Sequence, residues 1–92
     1  MIDIQEAVKI AKDKLVYLMG RNSVSGIRLE EVEAETIEPD ADVFVYYWVV
    51  TLSYLPEELD PLESINEQRI FKTFRILAEN GELVSMKIRE IV

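Results

Sequence analysis

The chain has 92 residues, no cysteine, no histidine and a formal net charge of −8. A domain of this size buries an adequate core rather than a generous one, and it lacks disulfides, thiolates and the commonest general base and metal ligand. The acidic balance argues against nucleic acid and anionic membranes as partners.

The charge is unevenly spread. Residues 28–67 hold twelve acids and one base, Arg28, while residues 69–92 hold five bases and three acids. This predicts a molecule with an acidic side and a mildly basic edge. The opening Met-Ile-Asp-Ile-Gln-Glu is acidic and amphipathic, without the basic start and apolar run of a signal peptide. The expectation is a soluble, cytoplasmic protein.

In chain order, Asp3-Ile-Gln-Glu6 has capping-box spacing. Ile4, Ala7, Val8, Ala11, Leu15, Leu18 and Met19 then recur at helical intervals, and Gly20 is suited to end the helix. Residues 3–19 are therefore predicted as one amphipathic helix, with lysines on its solvated side. Arg21 to Gly26 is loop chemistry. Ile27 to Glu38 reads as a strand whose alternation slips once, and a β-bulge near Glu30-Glu31 restores its phase. Glu31, Glu33 and Glu35 then share one face, as suits an edge strand. A turn at Pro39–Asp42 leads into Val43–Tyr54, which is uncharged and rich in β-branched and aromatic residues. That central strand is apolar on both faces.

Leu55 to Gln68 carries two prolines and five acids and reads as a long solvated loop. It lacks the Asp-x-Asp-x-Asp-Gly order of a calcium loop, and no metal or other cofactor is expected. Arg69–Ala78 and Glu82–Ile91 are the last two strands. A three-residue loop at Glu79-Asn80-Gly81 brings Ile76 opposite Val84, Phe74 opposite Met86 and Lys72 opposite Ile88, so that apolar residues share a face.

The fold class is therefore α+β, a single domain with one N-terminal helix on a four-stranded antiparallel meander. The expected core joins Val8, Ala11, Leu15 and Leu18 of the helix to one sheet face. That face carries Val32, Ala34, Phe44, Tyr46, Trp48, Val50, Leu52, Ile70, Phe74, Ile76, Val84, Met86 and Ile88. The other face has no layer of its own. It presents Val43, Val45, Tyr47, Val49, Phe71, Leu77, Leu83 and Ile91, rimmed by Arg69, Arg75, Lys87 and Arg89 on one side and by the three glutamates on the other. An apolar patch with opposite charges at its edges suits an interface, including a twofold dimer. The competing reading is that long Lys and Arg stems lie over the aliphatic residues and the face stays wet.

The helix with Ala7 and Ala11, the run Tyr47–Ser53, Phe71–Ile76 and Gly81–Ile88 resemble PepSY-like and cystatin-like small bacterial domains. The resemblance covers most of the chain and implies a helix packed on a meander. Such domains are associated with peptidase inhibition or ligand binding outside the cytoplasm. The chain departs from that setting in having no evident leader, and in the acidic loop, so no functional residue is carried over.

With no histidine, cysteine, phosphate loop or metal motif, catalysis is not expected. The expected function is a protein-interaction module using the open sheet face, with Val45, Tyr47, Val49, Phe71, Arg75, Leu77, Lys87 and Arg89 as candidate interface. Its partner would be a second copy of the chain or another protein. Two alternatives stay open. One is an acidic inhibitor docking on a basic partner. The other is a small-ligand binder lined by Tyr46, Trp48 and Tyr54.

Overall fold

Asp3 caps the helix, its carboxylate accepting the Glu6 amide at 2.8 Å, and α1 runs over Ile4–Met19. Gly20 ends it at φ 91°, with its amide on the Val16 carbonyl at 2.9 Å. In this computed structural model the described residues are 1–56 and 69–89. A short 3-10 turn at Arg21–Ser23 leads straight into β1, Val24–Asp40. The remaining strands are β2 (Val43–Pro56), β3 (Ile70–Leu77) and β4 (Leu83–Ile88). They form one antiparallel sheet in the order β1-β2-β3-β4, a meander with α1 packed on one face.

β1 has 17 residues against 14 in β2, and three register shifts absorb the excess. The shift between Leu29 and Glu31 is the expected bulge. A second lies between Ser25 and Arg28, where Gly26 has φ 58°, and a third between Ile37 and Asp40. β2 continues through Leu55 and Pro56, so those residues belong to the strand and not to the loop expected there.

The core forms where α1 crosses the sheet. Ala7, Ala11 and Leu15, four residues apart, are buried against Val50, Leu52 and Tyr54 of β2 and Phe74 and Ile76 of β3. The two alanines let the helix backbone lie close to the strands. Leu18, expected in this core, is exposed because the inward stripe is centred on the 7/11/15 row.

The last hairpin is wound differently from expectation near its turn. Lys72 faces Ile88 and Phe74 faces Met86, as expected, but Ile76 faces Leu83 rather than Val84. The Leu77 amide donates to the Glu82 carbonyl and the Gly81 amide to the Leu77 carbonyl, both at 2.8 Å. The loop is therefore four residues, 78–81, with one extra residue in β4. This bulge turns Leu83 onto the core and leaves Val84 exposed.

Apart from Val84, the helix-side face has the expected phase, but the helix covers less of its length than expected. A 16-residue helix spans about 24 Å, whereas 14 residues of strand span about 46 Å. Trp48 and Val32 pack at the margin of the core. Beyond them Tyr46 and Phe44 are 44% and 51% exposed, and Ala34, opposite Trp48, is exposed as well. Ile88, 68% exposed, lies at the far strand where the helix makes little contact.

Candidate contact surface

On the face away from α1, Tyr47 lies opposite Leu77, Val49 opposite Arg75 and Ser53 opposite Phe71. Of the apolar residues expected on this face, Val45, Tyr47, Val49, Phe71 and Leu77 are half-buried and Val43 is exposed, whereas Leu83 packs against the core instead. The basic residues do not rim it as expected. Arg75 crosses β2 to bond the Glu35 carboxylate on β1, with its guanidinium 5.5 Å from the centre of the Tyr47 ring. Arg89 crosses from the end of β4 to Glu31 at 3.4 Å and donates to the Thr51 hydroxyl at 3.3 Å. Lys87 lies opposite Thr73 and is exposed.

A third arginine closes the end of the face near the β1 bulges. Arg69 Nε donates to Ser53 Oγ at 2.9 Å, and its terminal nitrogen donates to the Ser53 and Gly26 carbonyls. Ser53 Oγ in turn donates to Glu30 Oε1 at 2.6 Å. Thr51 and Ser53 are consequently buried, although no helix lies over them. Sequence reasoning missed these contacts. The signal was two small polar residues interrupting an apolar face, but matching them to Arg69 and Arg89 needed the register.

The carboxylates on this face influence one another. A hydrogen bond from Glu33 holds Glu31 below the usual carboxylate value, helped by the charge of Arg89. The same bond, together with the negative charge of Glu31, raises Glu33. Among the described residues no group of three or more Asp or Glu is arranged to hold a metal ion.

Ile88 and Val84 of the edge strand β4 are the most exposed large apolar residues of the sheet; on the inner strand β2 these are Phe44, Val43 and Tyr46, at the distal end of the β1–β2 hairpin. The chain start is tied across the strands there. The Ile2 amide donates to the Ala78 carbonyl at 2.8 Å, the Ala78 amide to Tyr46 at 2.9 Å, and Trp48 Nε1 to the Ile2 carbonyl at 3.1 Å. The helical layer stops at Trp48. Past it, Phe44 and Tyr46 join Met1, Val45, Leu77 and Glu79 around a groove of about 300 Å³. The hairpin ends at Ala41-Asp42, where Asp42 has φ 62° and its amide bonds the Glu38 carboxylate at 3.0 Å. A second groove of similar size, lined by Ile4, Gln5, Val8, Leu29 and Val32, lies between α1 and β1.

Tyr46, Trp48 and Tyr54, expected together as a possible ligand lining, end in different surroundings. Tyr54 is in the core, Trp48 is bonded to Ile2, and Tyr46 faces the distal groove. The acidic stretch 57–68 and Ile91 lie outside the described residues. No helix among the described residues is long and apolar enough to cross a membrane. Comparison of the chain with protein-family models, with curated proteins and with solved structures found no match.

Proposed function

We propose that the chain is a non-catalytic protein-binding module whose contact surface is the distal end of the β1–β2 hairpin. The observation that supports this is the exposure of Phe44 and Tyr46 on a stretch of sheet the helix does not reach. Aromatic side chains with a polar rim are what interfaces are enriched in. Val45, Tyr47 and Leu77 of the expected interface adjoin this end and extend the surface around the sheet. Val49, Phe71, Arg75 and Arg89 sit farther along, where ion pairs within the chain already cover the face.

A binding test separates this end from the rest of the molecule. Partners captured by the wild-type chain should be lost with Phe44→Thr/Tyr46→Thr and retained with Lys12→Ser or Val49→Thr. Retention by the double variant, with loss on Val49→Thr, would move the contact to the middle of the open face.

A further inference from the structure

The distal groove has a charge pattern that bears on what fills it, and the inference rests on the reading of this end as a contact surface. Phe44 and Tyr46 are the aromatic residues of its lining. Glu79 of the β3–β4 loop is also on its lining, and the adjoining hairpin end carries Glu38, Asp40 and Asp42, with Asp40 opposite Val43; all four are exposed. No lysine or arginine occurs in the sequence between Arg28 and Arg69. The nearest base on the neighbouring strand, Arg75, is engaged by Glu35. The groove is therefore mainly apolar, its lining carries Glu79 and the Met1 amino group, and the hairpin end beside it adds three carboxylates, so this end is negative on balance.

We infer that the groove receives a basic amphipathic segment of another protein, which seats one or two apolar side chains on Phe44 and Tyr46 and places lysine or arginine against Glu38, Asp40, Asp42 and Glu79. Charge complementarity supports this occupant over a second copy of the chain. A twofold contact through this end would set the same carboxylates against their own copies, and like charges facing each other disfavour association. The volume also fits. About 300 Å³ is the lower bound for small-molecule sites and suits a few inserted side chains.

The test uses the full chain, isotopically labelled, and three short peptides that share one helical leucine pattern and carry lysine, glutamine or glutamate at their polar positions. The Leu–Lys peptide should shift amides in residues 36–46 and 77–79. Its affinity should fall about tenfold or more with Phe44→Thr/Tyr46→Thr, and again with Asp40→Asn/Asp42→Asn/Glu79→Gln or on raising salt. The Leu–Glu peptide should leave those amides unmoved. If the Leu–Gln peptide binds the same residues as tightly as Leu–Lys, the basic partner is wrong while the contact surface stands. If Leu–Lys shifts map elsewhere, survive Phe44→Thr/Tyr46→Thr, or do not occur, the inference and the contact surface fall together.

Discussion

Single residues here differ sharply in what they contribute. Phe74 is fully buried under α1, and Phe74→Ala should cost roughly 3–5 kcal/mol in denaturant unfolding. Gly81 has φ 78°, and a Cβ built on it would lie 2.8 Å from Ile10 Cδ1. Gly81→Ala should cost about 1–2 kcal/mol, and shortening Ile10 to Val in the same chain should recover only the steric part, because the backbone strain remains. Glu31 and Glu33 should titrate apart, Glu33 at the higher pH, when followed by carboxyl carbon shifts. Arg89→Gln should bring Glu31 upward. The raised Glu33 stabilises the fold below its unfolded value and loses that contribution as pH rises through its folded value. The lowered Glu31 does the reverse, losing its contribution as pH falls through its folded value. Coincident midpoints for the two groups would show that the bond between them does not form in solution.

At the scale of elements, the sequence carries the phase of each strand clearly. The slip at Glu30-Glu31 is visible as a break in alternation, and Phe74 opposite Met86 follows from asking which register puts apolar residues together. The bulge at Val84 was not legible, because both Leu83 and Val84 are apolar and either satisfies the pattern. The end of the core is legible only when element lengths are compared as well as phase. Alternation says which face a residue is on, whereas coverage depends on how far the opposing layer reaches, and a 16-residue helix cannot cover a 14-residue strand end to end. The open-face ion pairs were illegible for a different reason. Arg75 meets Glu35 across β2 and Arg89 meets Glu31 across β2 and β3, so the pairings exist only once three and four strands, respectively, are in register.

At the scale of the molecule, the shape follows from the same mismatch. The radius of gyration is 15.0 Å, against about 12 Å for a compact chain of similar length, and the extents are 54 × 27 × 17 Å. The short dimension is a two-layer thickness, and the long one is the hairpin. Because Arg75 and Arg89 are paired within the chain, the wild type should remain monomeric as concentration rises. Arg75→Ser/Arg89→Ser should uncover Val49 and Tyr47 and bring on self-association, seen by light scattering. Its stability should fall by no more than about 0–1 kcal/mol per pair, since both pairs are partly exposed. A wild-type dimer that salt disperses would mean that these ion pairs exchange between copies.

The central claim is that the aromatic end of the hairpin is held for contact and not for folding. The most direct measurement is denaturant unfolding of Phe44→Thr/Tyr46→Thr beside Phe74→Ala, with threonine chosen to keep the strand preference. The double variant should lose less than about 1 kcal/mol. A loss of about 3 kcal/mol or more, on the scale of Phe74→Ala, would place Phe44 and Tyr46 in the core and contradict the account.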